Sequence, residues 1–419
     1  MSINLYSKML QQRFYCRIKY FSRAYYTVKN HNIAKDENFM AKQLYSRIKA
    51  TGPITIADYM KEILTNPFGG FYMHKNVFGS SGDFITSPEL CQMFGEMVAI
   101  WCLNEWSKIG SPKPFQIVEL GPGTGSLSQD ILRVFQQFKC LNSCSLSLVE
   151  VSPYLSNLQG QRLCLKSNNI TIPSSPFYKE GIAKEGVQVR WFKRIEDVPD
   201  VFSIFIAHEF FDALPIHKFQ KTENGYREVL VDNDEKEGHF RYVISRNETP
   251  AVKTYIKPSE CRDHLEISPQ SLLTVNTISN KLESFGGLAL VADYGHGGEG
   301  TDTFRAFKKH KLHDPLIQPG SADLTADVDF GRLKEAALEG DRVIAFGPVT
   351  QQDFLSKMGI HQRYKALEKI ASGKQIEALR MSFNMMMDEE QMGKRFKFLS
   401  LVPAVLEKIV EKYPVVGFS

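Results

Sequence analysis

Apolar residues recur with a helical period over positions 39–50, where Gly52 and Pro53 close the pattern, and again over 54–64. The stretch NPFGGFYMHKNVFGSSGDFIT that follows is rich in Gly and aromatic residues and reads as a loop. Ser87 as N-cap, Pro88 at the first helical position and Glu89 in the first turn predict a long helix to about Lys108, ended by Gly110. The period then changes. FQIVEL (115–120) is a short apolar strand, GPGTG (121–125) a tight turn and 126–138 a helix. SLSLVE (145–150), VQVRW (187–191), VFSIFIA (201–207) and GLALVA (287–292) repeat the strand pattern. Ser152-Pro153 and Ser268-Pro269 open helices between them. Apolar runs alternating with helices predict an α/β fold with a mostly parallel, Rossmann-like sheet covered on both faces.

Residues 216–265 interrupt the alternation. KTENGYREVLVDNDEKEGHFRYVIS alternates apolar and polar residues around a Gly-containing turn, so it reads as an inserted antiparallel hairpin. Beyond residue 300 the pattern is mixed, with helices expected near 329–339, 351–372 and 402–412. The resulting division is an N-terminal address at 1–38, a helical segment at 39–110, a core at 111–300 carrying the insertion, and a C-terminal cap with remaining core elements at 301–419.

Charge changes the picture only at the N-terminus. Residues 1–35 hold seven Lys/Arg and no acid, with Leu10, Phe14, Ile18 and Phe21 at helical spacing. A basic, acid-free amphipathic helix is the profile of a mitochondrial presequence, without the apolar core of a secretory signal. The rest of the chain has 44 basic and 47 acidic residues, near neutrality, which gives no electrostatic reason to expect nucleic acid. No apolar run approaches the roughly 18 residues of a membrane helix, so no stable membrane insertion is expected. The seven cysteines include no C-x-x-C and read as reduced thiols rather than a disulfide or zinc framework.

Glu119-Leu-Gly121-Pro-Gly123-Thr-Gly125 follows a strand and precedes a helix. Glycines there allow a sharp turn and close backbone approach to a ligand, and the helix end offers free N–H groups. Ser126 fits the dinucleotide pattern G-x-G-x-x-G/A poorly, and no Lys completes a nucleotide-triphosphate loop. E-x-G-x-G-x-G resembles the motif of S-adenosylmethionine (SAM) methyltransferases. Glu150, 29 residues after Gly121 at the end of the second strand, can accept both hydroxyls of a ribose. Glu196 and Asp197 follow the third strand, where they either face an adenine or are simply solvated.

The fourth strand leads into His208-Glu209-Phe-Phe-Asp212-Ala-Leu-Pro215. The carboxyl ends of parallel strands form the ligand crevice, so Glu209 and Asp212 should face the reacting centre. Asp212 stands where H-E-x-x-H zinc chemistry needs its second His, and no metal site is expected.

Taken together, GDFITSPELCQMFGEMVAIW (82–101), VELGPGTGSL (118–127), LVEVSP (148–153), HEFFDALPIHKF (208–219), DYGHGG (293–298), PGSADLTADVDF (319–330) and GPVTQQDFLSKMGI (347–360) resemble the MidA-like family of mitochondrial protein arginine methyltransferases that assist assembly of respiratory complex I. The resemblance spans about residues 40–418, with Cys91 standing where the family pattern has Ser. It implies SAM as cofactor, symmetric dimethylation of an arginine, and a core peripheral-arm subunit of complex I as protein substrate. It implies cofactor contacts from Glu119, Gly121, Gly123, Gly125 and Glu150, and a pocket lined by Asp83, Phe84 and Thr86. Glu209 and Asp212 would handle the acceptor. A SAM methyltransferase of small molecules, a nicotinamide oxidoreductase and a non-catalytic SAM-binding assembly chaperone are the other readings.

Overall fold

The computed structural model describes residues 39–75, 77, 86–234 and 239–419. The core sheet takes β1 Phe115–Leu120, β2 Cys144–Val149, β3 Gln188–Phe192, β4 Phe202–His208, β5 Gly287–His296, β6 Val343–Thr350 and β7 Phe396–Pro403. These lie in the order β3-β2-β1-β4-β5-β7-β6, with only β7 running antiparallel to its neighbours. The chain order reverses between β1 and β4, which opens the crevice at their carboxyl ends. β1 is buried at every position and β4 at all but its first, so neither shows the alternation of a half-exposed strand.

Four of the five anticipated core strands begin within a residue of the sequence expectation and Gly287 begins the fifth, while β6 and β7 were missed. Gly347-Pro348 breaks the apolar run of β6, and β7 replaces the first part of the helix expected at 402–412, which is confined to Glu407–Lys412. A hairpin of Cys164–Asn169 and Lys179–Ala183 extends the sheet beyond β3. The long helix expected from Pro88 is two helices. Ser87–Leu90 is separated from Gln92–Lys108 by Cys91 in an extended conformation, and Thr86, not Ser87, holds the cap position. The inserted hairpin is larger than expected. His217–Thr222 and Gly225–Asp234 pair as anticipated, and His239–Ile244, His264–Ile267 and the distant Ile54–Thr55 complete a five-stranded antiparallel sheet.

A separate apolar core stands over the crevice. Ile56, Tyr59, Met60 and Ile63 of the helix Ile56–Thr65 pack with Phe304, Ala306, Leu316 and Leu324 around the small sheet Arg305–Lys308, Lys311–His313 and Asp323–Thr325. Residues from both ends of the chain thus roof one end of the crevice. The N-terminal basic segment expected to be a presequence lies outside the described residues, as do Asp83 and Phe84.

Candidate active site

The turn after β1 is built as the glycines dictate. Gly121, Gly123 and Gly125 all have positive φ (61°, 53° and 83°), the region open to Gly without a Cβ clash. A Cβ on Gly121 would come 2.8 Å from the ring of Phe210, so the turn also seats the loop after β4. Gly121 and Gly123 line a cavity of about 1400 Å³. Gly125 is set back from it, starting the helix Ser126–Gln137 against Leu163 and Gln159. Glu119 is also set back. Its buried carboxylate accepts from the Ser128 hydroxyl of that helix, and burial pushes it up to about 8. Thr86 caps Ser87–Leu90, whose Glu89 accepts from Thr124 of the turn at 2.9 Å.

Glu150 lines the cavity just beyond β2. Its Oε1 accepts from the Ser152 backbone N–H at 2.7 Å and its Oε2 from Gln159 Nε2 at 3.0 Å. Burial raises it to about 7 against these hydrogen bonds. Gln159 also donates to the Gly123 carbonyl at 2.8 Å and accepts from Trp191 at 2.8 Å. One amide therefore fixes the glycine turn relative to the carboxylate. Sequence reasoning missed Gln159, although a buried polar residue two turns after the Ser152 cap was there to be noticed. Arg194, Ile195 and Glu196 follow on the same wall; Asp197 instead pairs with Arg194 at 2.8 Å.

These residues fit SAM. A carboxylate held from behind on both oxygens faces the cavity, where ribose hydroxyls can donate to it. The positive-φ turn leaves its backbone open to the cavity, and apolar Val149 and Leu155 flank them.

At the other end of the cavity, β4 terminates in an abrupt corner. Glu209 has φ 49°, a left-handed conformation that costs a non-Gly residue roughly 1–2 kcal/mol, and its N–H donates to the Ala292 carbonyl at 3.0 Å. The strain turns Glu209 and Asp212 into the cavity. Asp293, fully buried on β5, pins this loop. Its Oδ2 accepts from the N–H groups of Phe210 at 3.1 Å, Phe211 at 2.8 Å and Asp212 at 3.4 Å, and its Oδ1 from Tyr294 at 2.9 Å. Nothing in the local sequence pattern distinguishes Asp293 from any acid closing a strand.

Burial, then the charge of Asp212, holds Glu209 well above the usual carboxylate range. Its Oε1 has the Ser87 N–H at 3.4 Å. The His208 ring is 3.6 Å away, but burial pushes it down to about 3, so it is neutral and makes no ion pair. Burial also raises Asp212, opposed by the Thr325 hydroxyl at 2.8 Å and by the charge of Arg305. Asp323 and Asp327 line the same end, and Arg305 pairs with Asp327 at 2.6 Å. Glu209, Asp212, Asp323 and Asp327 thus line this end of the cavity with Arg305. Among the described residues, no group of three or more His, Cys, Asp or Glu is placed to hold a metal ion.

A glycine-turn cofactor end and an acid-rich acceptor end, set on a Rossmann-like sheet with one antiparallel strand, define a SAM-dependent methyltransferase. Residues 97–349 match the family described as "Putative S-adenosyl-L-methionine-dependent methyltransferase". The chain is 48% identical to the mitochondrial protein arginine methyltransferase NDUFAF7 of Xenopus tropicalis, over 96% of this chain and 94% of the relative. It is 50% identical to the Drosophila melanogaster homologue (91% and 88% covered) and 46% identical to the Homo sapiens protein (93% and 88% covered). The chain belongs to this mitochondrial methyltransferase family. A Burkholderia thailandensis protein, crystallised with S-adenosyl-homocysteine, shares the fold with a TM-score of 0.72 at 22% identity, covering 88% of this chain and 93% of that one.

Proposed function

We propose that this protein methylates an arginine side chain of a core peripheral-arm subunit of complex I in the mitochondrial matrix, producing symmetric dimethylarginine needed for assembly of the complex. The observation that carries the arginine reading is the gathering of the carboxylates of Glu209, Asp212, Asp323 and Asp327 at one end of the cavity, beside Arg305. A guanidinium is always charged and presents its donors in a planar fork, so paired carboxylates both neutralise and orient it. The cavity volume also favours a protein acceptor. At about 1400 Å³ it exceeds the roughly 300–1,000 Å³ of single small-ligand pockets, leaving room for a polypeptide segment beside the cofactor.

Gly121, Gly123 and Glu150 would hold the cofactor, which supplies an activated sulfonium methyl group when bound. Glu209 grips the guanidinium, and Asp212, already engaged by Thr325, supports the grip. The acceptor nitrogen forms the new N–C bond while the S–C bond breaks with its electron pair left on sulfur, and the same nitrogen releases one proton to the acidic cluster. Placement along the attack line supplies the larger share of the rate. The helix Ile56–Thr65 and the small sheet of Arg305–Lys308, Lys311–His313 and Asp323–Thr325 serve as the cap that excludes water.

The test is mass spectrometry of complex I arginines in mitochondria with and without this protein, beside labelled methyl transfer to the same subunits. Loss of one dimethylarginine in the absence of the protein is expected. Unchanged arginine methylation with defective complex I would favour the assembly-chaperone reading instead.

A further inference from the structure

Tyr72 lies in neither glycine turn nor acidic loop, yet it touches both ends of the cavity. Its segment is fixed by backbone bonds to the end of Ile56–Thr65, with Phe71 N–H donating to the Ile63 carbonyl at 2.8 Å and Tyr72 N–H to Leu64 at 3.2 Å. On the cofactor side, the Tyr72 carbonyl accepts from the Ser152 hydroxyl at 2.7 Å. Ser152 is the residue whose N–H holds Glu150 and whose hydroxyl oxygen caps the helix Pro153–Leu163. On the acceptor side, the Tyr72 phenol donates to Asp323 Oδ1 at 2.7 Å. Asp323 and Thr325 stand two apart on one strand, so both side chains project to the same face. Thr325 takes Asp212 from that face, and the Asp212 carbonyl receives the next N–H, from Ala326, at 3.1 Å.

We propose that Tyr72 and Asp323 are a positioning pair that completes the acceptor end, with Asp323 as a further carboxylate for the guanidinium and Tyr72 as the residue that holds it. The proposal rests on the arginine-acceptor reading. A guanidinium has five N–H donors, more than Glu209 alone can satisfy. Asp323 is buried, and one of its oxygens is occupied by the phenol. That bond fixes its rotamer. Because the same tyrosine is tied through Ser152 to Glu150, the cofactor anchor and this acceptor carboxylate are set by one segment of chain.

The experiment uses the full chain with Tyr72→Phe, Asp323→Asn and the double variant. SAM affinity is titrated first. Arginine amide is then titrated into protein saturated with S-adenosyl-homocysteine, and KM and kcat are measured on Gly-Arg-Gly amide. SAM affinity should stay within about twofold, since neither side chain contacts the turn. Arginine amide should bind about tenfold more weakly to Asp323→Asn, in the range of one lost charge-assisted hydrogen bond. Tyr72→Phe should lose several-fold, with the defect in KM rather than kcat. The double variant should be no worse than Asp323→Asn alone, because the phenol acts through the carboxylate. Wild-type arginine amide binding and KM in both single variants would overturn the pair while leaving the arginine reading intact. Additive losses accompanied by weakened SAM binding would make the two residues structural and also overturn it. A wild-type protein that neither binds arginine amide nor methylates the peptide would overturn the arginine reading and the pair together. If Asp323→Asn fails to fold, Tyr72→Phe decides by the same two titrations.

Discussion

Replacing Glu209 with Gln separates the chemistry of the acceptor end from its shape. The amide is nearly isosteric and can keep the Ser87 N–H contact, and Gln tolerates the left-handed corner no worse than Glu. What it loses is the charge that offsets the guanidinium. Two unit charges about 4 Å apart at an effective dielectric near 20 attract by about 4 kcal/mol. Part of that is offset by desolvation, and retention of about 3 kcal/mol in the transition state corresponds to roughly 10²-fold in rate. Single-turnover transfer from labelled SAM should therefore fall by at least ~10²-fold, with SAM affinity unchanged. Stability should move the other way. A carboxyl whose folded pKa is raised lends stability that is present below its unfolded pKa of about 4.3 and lost as pH rises through the folded value. Gln carries no such loss, so the thermal midpoint of the variant should gain on wild type as pH rises from 4 to 8. Near-normal transfer would show that another carboxylate grips the acceptor. Loss of SAM binding would move Glu209 to the cofactor end.

Three further outcomes test other parts of the site. Glu150 is raised to about 7, and its ionised form accepts from hydroxyls on both oxygens and more strongly, so SAM affinity should rise with pH through about 7; Glu150→Ala, expected to cost about 1–3 kcal/mol of binding, should abolish that slope in calorimetric titrations. Gly121→Ala puts a Cβ 2.8 Å from the Phe210 ring at φ 61°, and should cost roughly 1–2 kcal/mol of stability, read by denaturant unfolding, and shift the acceptor loop. Asp293→Asn keeps one acceptor oxygen for four N–H groups, so methyl transfer should drop while SAM affinity, measured in parallel, holds.

The parts of the molecule that were legible share one property: their residue types report their surroundings locally. Strands buried on both faces read as mainly apolar runs, which is why FQIVEL and VFSIFIA were placed within a residue. The three glycines declared a turn that only they can form. Glu209 and Asp212 were found because a strand end feeding an acidic loop is a local signal. The edge hairpin of CLKSNN and KEGIA was silent because an edge strand needs few apolar residues. Asp293 and Asp323 were silent for a different reason. The loop that Asp293 pins lies 81–83 positions away and the phenol on Asp323 251, and no local window of sequence contains both members of such a bond.

The roof over the acceptor end also constrains how the chain is made. The apolar face of Ile56–Thr65 is covered by Phe304, Leu316 and Leu324, and the Tyr59 phenol donates to the Pro315 carbonyl, 256 residues downstream. At synthesis rates of about 5–20 residues per second, that helix waits roughly 13–50 s for its partners. Through this interval it carries an uncovered apolar stripe, a surface on which a holding chaperone competes with aggregation. A transcript cut between residues 297 and 303 leaves that part of the stripe bare for good, even though β1 to β5 and the glycine turn are already encoded. Truncated chains of this kind should accumulate as insoluble material rather than as a working half-enzyme.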